Sequence, residues 1–174
     1  ANSMVFTESP IQGAYHVDVE AFEDDRGCFA RAWCQEEFQA HGMAAAFVQA
    51  NLSQNRHAGT LRGLHYQAAP HTEAKYVRVV RGAVYDVIVD LRSESPTYLQ
   101  WYAEKLTADR RNALYVPEGC AHGYQTLTDD AEVFYLVTSA YAPKFERGIR
   151  YDDAEVAIDW PREVTSVSDK DQSW

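Results

Sequence analysis

Residues Thr60 to Gln67 read Thr-Leu-Arg-Gly-Leu-His-Tyr-Gln, a strand-like run that carries a guanidinium and an imidazole three positions apart. Arg62 has the planar fork that grips a phosphate through two hydrogen bonds. His65 is the side chain best suited to take up a proton near neutral pH. Together they suggest a site that holds an anionic substrate and removes a proton from it. In a regular strand, residues 62 and 65 point to opposite faces. For both to serve one pocket the alternation must break, and Gly63 between them is the residue that permits a bulge.

Other segments carry groups of the same kind. Pro117-Glu-Gly-Cys-Ala-His122-Gly123 delivers a histidine at the start of a strand, between small neighbours that leave room for a ligand. Tyr135 lies in the apolar run Glu132-Val-Phe-Tyr-Leu-Val137, and a half-buried phenol beside a pocket is a competent acid. Asp171 stands next to Lys170 in a polar tail. Taken singly, each reads first as an ordinary structural residue. The six histidines, at 16, 41, 57, 65, 71 and 122, form no His-x-His or His-x-x-His pair. Gln67 follows His65 where a metal-binding run would carry a second ligand, so no metal site is expected. Phosphate-loop, dinucleotide and nucleophile-elbow motifs are also missing, and no cofactor is implied.

The elements that must hold these groups read mostly as strands. Alternation and turn residues mark Ile11–Val19, Phe47–Leu52, Leu61–Gln67, Tyr76–Val80, Ala83–Leu91, Trp101–Leu106, Ala113–Val116, Gly123–Leu127 and Glu132–Thr138. Arg81-Gly82 should turn a hairpin, with Tyr85, Val87, Val89 and Leu91 on one face of the strand that follows. One helix is expected over Gln35–His41, stopped by Gly42, and a helical turn near Ala108–Asn112. From Trp160 on, the chain should be loop with a helical turn. Many short strands with few helices indicate an all-β sandwich or barrel.

At 174 residues the chain is expected to form one domain spanning 1–174, with Ala1-Asn-Ser3 before Met4 reading as a cloning remnant. Its net charge of −10 excludes a general nucleic-acid or anionic-membrane surface, though a local basic pocket can still take an anionic small molecule. Three cysteines, Cys28, Cys34 and Cys120, form no CxxC pair and suit reduced thiols. With no apolar run of membrane-spanning length and no visible signal peptide, the cytoplasm is the expected compartment.

In chain order, Asp25-Arg-Gly27, Phe47-Val-Gln-Ala-Asn51, Leu61–Gln67, Lys75 through Leu91, Pro117–Gly123, Tyr135, Tyr141-Ala-Pro143, Glu146, Ile158-Asp-Trp-Pro161 and Lys170-Asp171 resemble the dTDP-4-dehydrorhamnose 3,5-epimerase family of nucleotide-sugar enzymes. The resemblance implies a cupin-like double-stranded β-helix (jelly roll) with a few short helices. It implies a homodimer whose N-terminal strands join the partner's sheet, and an activity that needs no metal. By the same resemblance His65 is the general base, Asp171 its carboxylate partner, Tyr135 the acid on the opposite face of the sugar, and Lys75 the cation beside the C4 oxygen. Arg62 and His122 correspond to pyrophosphate and sugar contacts and Tyr141 to an aromatic near the sugar. Arg26, Gln49, Asn51, Glu146 and Lys170 map to nucleotide-side or rim positions.

The sequence departs from the family pattern at Arg31 (commonly Glu), Ala50 (Asp), Leu52 (His), Leu136 (Lys) and through the loop Ala68–Ala74. These changes bear on which sugar and nucleotide are held, and on whether one or both centres are inverted, more than on reaction type. A single-centre epimerase is the alternative within the class. A metal-dependent cupin and a non-catalytic sugar-nucleotide-binding protein are the alternatives outside it.

Overall fold

The computed structural model describes residues 3–174; Ala1 and Asn2, and with them most of the expected cloning remnant, lie outside the described residues. The elements run β1 (Met4–Glu8), β2 (Tyr15–Val19), β3 (Ala21–Asp24), β4 (Gly27–Ala30), α1 (Gln35–Ala40), β5 (Gln49–Asn55), β6 (Leu61–Gln67), β7 (Lys75–Arg81), β8 (Ala83–Asp90), β9 (Trp101–Thr107), β10 (Ala113–Val116), β11 (Cys120–Thr126), β12 (Ala131–Val137), β13 (Glu146–Gly148) and α2 (Asp169–Gln172). They form a six-stranded sheet in the order β1-β2-β10-β7-β12-β5, a five-stranded sheet in the order β13-β6-β11-β8-β9, and a separate β3-β4 hairpin. No described helix is long and apolar enough to cross a membrane.

Two-residue periodicity explains the layers. Val77 and Val79 of β7 and Val133 of β12 meet Val84 and Ile88 of β8 and Leu106 of β9 between the two sheets, as in a jelly roll. The opposite face of the six-stranded sheet presents Val17, Tyr76 and Tyr115 to Phe38 of α1. The outer face of the five-stranded sheet presents Tyr85, Val87, Val89 and Leu91, the set expected to share a face, to Ile149, Tyr151, Val156 and Trp160. Each of the two large sheets therefore also carries an apolar cluster on its outer face.

Several expected boundaries shift. The strand expected from Ile11 begins at Tyr15, because Ser9 to Ala14 form a turn closed by the Ser9 N–H on the Ala14 carbonyl. The helical turn expected near Ala108–Asn112 is a plain turn: one Arg111 N–H to Thr107 carbonyl bond is made, and Arg111 then takes φ +60°. Strands β1, β3, β4 and β13 were not anticipated. All four residues of β3 and most of β4 are exposed, so neither shows an inside–outside pattern. The helix over Gln35–Ala40, with Gly42 at φ +71° after it, matches expectation, as does the turn of helix in the tail.

The break near Gly63 is present. His65 lies opposite His122 and Arg62 opposite Tyr124, so β6 advances three residues where β11 advances two. That extra residue is a bulge. Leu64 turns outward into the cluster beneath the tail, while Arg62 and His65 both face the same cavity. Gly63 adopts φ +112°, and a Cβ there would lie 2.7 Å from the Gly123 Cα and 2.8 Å from the His122 carbonyl oxygen. Both contacts are with backbone, which cannot step aside. Gly63→Ala should therefore lower the unfolding free energy by about 3 kcal/mol, the combined cost of strained backbone and overlap. Urea titration measures it, and an unchanged midpoint would show that the bulge does not require glycine.

Candidate active site

His65, at an inward position of β6, brings its Nε2 to within 2.6 Å of Asp171 Oδ1. Asp171 comes from α2, over a hundred residues away in sequence, and is almost wholly buried. Its other oxygen accepts the Gly63 N–H at 3.1 Å, so the bulge that brings Arg62 and His65 to one pocket also donates to the carboxylate behind the imidazole. The Trp174 indole N–H adds a third donor, to Oδ1, at 3.0 Å. Burial by itself would raise the Asp171 carboxyl. The hydrogen bond from His65, the Gly63 N–H, the charge of His65 and the Trp174 indole outweigh it and hold the group down to about 2. Helix α2 begins at Ser168, whose Oγ accepts the Asp171 N–H at 3.1 Å.

The cavity in front of His65 has two adjoining lobes of about 280 and 420 Å³ that share His65, Lys75, Tyr135 and Glu146 as walls. Gln49, Asn51 and Tyr141 line the smaller lobe; Arg62 and His122 line the larger. Lys75, 7% exposed, has its ammonium 3.7 Å from Glu73. Burial lowers the Lys75 pKa, and the charges of Glu73, Asp86 and Glu146 oppose that fall. Burial raises the Glu73 carboxyl against the pull of Lys75. Tyr135 is pushed up chiefly by burial, which keeps it a phenol with a proton to give.

Arg62 donates from Nε to Asn55 Oδ1 at 2.6 Å and from Nη2 to the Gln54 carbonyl at 3.2 Å, contacts that fix its plane at the mouth of the larger lobe. His122 Nε2 lies 2.7 Å from Asp86 Oδ1, a second imidazole–carboxylate pair, here almost completely buried. At the rim, Lys170 pairs with Glu146, and the Tyr141 hydroxyl reaches the same carboxylate at 3.4 Å.

Arg26 is the one expected site residue that this chain does not bring to the pocket. It sits on the β3-β4 hairpin, exposed, with its guanidinium 2.6 Å from Asp24, and that hairpin pairs with no other described strand. Arg31, expected toward the nucleotide side, instead binds Glu37 at 2.9 Å, and Glu37 also accepts the Met4 N–H. Ala50 and Leu136, two of the departures from the family pattern, are directly opposed across β5 and β12, with Leu52 opposite Phe134. Leu136 packs toward the cluster around α1, while Leu52 is exposed at the edge of the larger lobe.

Three residues of the site escaped sequence reading. Glu73 was signalled by its spacing, two positions before Lys75 and hence on the same side of an extended chain. Asp86 was signalled as a carboxylate at an inward position of an apolar strand, which must find a partner when buried. Nothing in the local sequence marked Trp174. Among the described residues, no three His, Cys, Asp or Glu side chains converge as a metal site.

Comparison with known proteins places this geometry. A family model described as dTDP-4-dehydrorhamnose 3,5-epimerase matches residues 8–174. The dTDP-4-dehydrorhamnose 3,5-epimerase of Methanothermobacter thermautotrophicus is 39% identical over 172 residues, covering 97% of this chain and 92% of its own. A dTDP-4-dehydrorhamnose 3-epimerase of Streptomyces niveus is 40% identical over 163 residues, 93% of this chain and 78% of its own. The crystal structure of the 3,5-epimerase from Bacillus anthracis with TDP and PPi bound superposes with a TM-score of 0.93 at 41% identity, covering 98% of this chain and 97% of that one.

The depressed Asp171 carboxyl has a consequence for stability. A carboxylate whose folded pKa lies below its unfolded value stabilises the fold above the unfolded value, near 4, and loses that contribution as pH falls through the folded value of about 2. A depression of this size is worth roughly 2 kcal/mol. Asp171→Asn should thus be less stable than the parent at pH 7, and the gap should shrink between about pH 4 and pH 2. Urea midpoints across that range test it; a gap independent of pH would contradict the assigned contacts.

Proposed function

The chain belongs to the dTDP-4-dehydrorhamnose 3,5-epimerase family, an isomerase family, and from that premise we propose that it inverts C3 and C5 of a nucleotide-linked 4-keto-6-deoxyhexose. The default substrate is dTDP-4-dehydro-6-deoxy-D-glucose and the product dTDP-4-dehydro-L-rhamnose. One observation carries the reading: His65, backed by Asp171, opens onto the same cavity as Tyr135 and Lys75.

The 4-keto group acidifies the hydrogens at C3 and C5. Asp171 engages His65 Nε2, which leaves Nδ1 as the nitrogen that takes the proton. The carboxylate orients the imidazole and supports the imidazolium that forms, as in other base–carboxylate pairs. The C–H electron pair moves into an enolate whose charge collects on the C4 oxygen. The Lys75 ammonium stabilises that charge more than it does the neutral ketone, and so lowers the barrier. Glu73, Asp86 and Glu146 work against the fall in the Lys75 pKa that burial causes. Tyr135 then protonates the carbon from the other face, and both residues recover their starting protonation through solvent. Arg62, at the mouth of the larger lobe, takes the pyrophosphate, with His122 and Tyr141 toward the sugar; Gln49, Asn51, Glu146 and Lys170 serve the nucleotide side and rim.

We assign a homodimer with exchanged N-terminal strands. The support is the β3-β4 hairpin, which has no other described strand beside it and leaves Phe22 and Phe29 56% and 70% exposed; two strands alone are barely stable in water. Strand β5 ends the six-stranded sheet, with Leu52 on it and Val48 just before it exposed. Adding the hairpin to a partner's sheet would carry Arg26 to the partner's pocket. The three unpaired cysteines support a cytoplasmic setting.

A single-centre reading is favoured by one fact: the 3-epimerase relative is as similar to this chain as the 3,5-epimerases are. Deuterium from solvent at both C3 and C5 supports double inversion, and label at C3 alone supports the second reading. His65→Ala should abolish exchange at both carbons while dTDP binding stays within about twofold; normal exchange would remove His65 as base. Tyr135→Phe should retain exchange but lose inversion at C5, and an unchanged product would refute the assignment of Tyr135 as the acid.

A further inference from the structure

Trp174 has no part in the mechanism above, yet it touches the group on which the base depends. Its indole N–H donates to Asp171 Oδ1 at 3.0 Å, the oxygen that also holds His65 Nε2 at 2.6 Å. Its ring lies edge-on to the His65 imidazole, 6.0 Å between centroids at 70°. The fold reserves space for it. Gly148 of β13 pairs with His65 of β6, and a Cβ at Gly148 would sit 2.5 Å from Cδ2 and Cε2 of the indole. The ring thus fills the place of a side chain beside His65. Helix α2 is pinned at both ends, by Ser168 Oγ on the Asp171 N–H and by Arg150 on the Gln172 carbonyl, so the indole approaches from a fixed support.

We propose that Trp174 is a positioning residue for the catalytic base. Its N–H, with the Gly63 N–H on Oδ2, locks the Asp171 carboxylate in the plane that His65 requires, and it shares the negative charge of Oδ1. The inference rests on the reading of His65 as base. Three donors on one carboxylate fix its rotation; with the indole donor gone, Oδ1 answers to His65 alone. The carboxylate then swings more freely, which slows proton abstraction. It also concentrates more charge on the His65 proton, so the base stays protonated to higher pH. The other charged or titratable groups around His65 are Arg62 and Tyr66 on β6, Glu73 before β7, Lys75 on β7, His122 and Tyr124 on β11, Tyr135 on β12, Tyr141 after it and Glu146 on β13. Trp174→Phe leaves all of them in place, so the difference between the two pH profiles isolates the indole N–H.

The test is Trp174→Phe, which keeps a ring beside Gly148 and removes the donor. The expected result is a kcat for C3 and C5 exchange lower by roughly tenfold, the usual effect of losing one hydrogen bond to a charged group. KM and dTDP affinity should stay within about twofold, and the acid limb of kcat/KM should move to higher pH. An unchanged kcat and profile would overturn the proposal. So would a loss equal at every pH and matched by a fall in thermal stability, the signature of packing alone. A second measurement needs no turnover. The Trp174 indole N–H resonance, assigned by its disappearance in Trp174→Phe, should shift with pH in step with the His65 ring signals and stop doing so in His65→Ala. If the parent protein exchanges no substrate hydrogen, the base assignment fails; an indole resonance that ignores His65 sinks the Trp174 proposal whatever the substrate.

Discussion

The Gly63 N–H to Asp171 carboxylate contact is where the fold and the site meet. A regular β6 would send Arg62 and His65 to opposite faces and turn the Gly63 N–H into the sheet ladder. The extra residue opposite Gly123 changes both at once. Arg62 and His65 fall on one side, and the displaced N–H finds its acceptor in a carboxylate carried by α2. Two glycines face each other there because the backbones come too close for any side chain: a Cβ on Gly123 would lie 2.6 Å from the Arg62 carbonyl. The segment carrying α2 is thereby held to the barrel beside His65.

Around that contact the barrel separates two kinds of polar group. Asp90, the last residue of β8, is fully buried and satisfied by Arg92, Ser95, Thr97 and the Arg92 N–H, a network that ties loops together. Around the cavity the polar groups are less completely paired. Lys75 has only a carboxylate at 3.7 Å, and one oxygen of Asp86 has no hydrogen-bond partner. A buried group left short of partners costs free energy, of the order of 1–3 kcal/mol. For Lys75 the shortfall falls in the pocket, where a ligand's keto or phosphate oxygen would accept from the ammonium.

Much of this was legible in the sequence, for identifiable reasons. Strands with one face inward, such as Ala83–Leu91, announce themselves by alternation, and the clash between that rule and the pairing of Arg62 with His65 located the bulge before any coordinates. The hairpin at β3-β4 gave no signal because neither face is buried within the chain. Arg26 could not be placed for the same reason: it sits on that hairpin, which pairs with no other described strand. Trp174 was invisible because its importance comes from Gly148 and Asp171, contacts that span the tail and a three-residue edge strand. The exchange of charged for apolar residues at Ala50 and Leu136 looked like two separate departures, and only the strand register shows them as one cross-strand pair.

The central claim is that a carboxylate placed by the bulge turns His65 into a base. Its most direct test is the rate at which Asp171→Asn exchanges the C3 and C5 hydrogens of dTDP-4-dehydro-6-deoxy-D-glucose in deuterated water, measured beside its affinity for dTDP. The account predicts exchange slower by about a hundredfold or more at both carbons, the scale on which a positioned base acts, with dTDP affinity unchanged. Exchange at the parent rate would contradict it, because His65 would then need no carboxylate behind it.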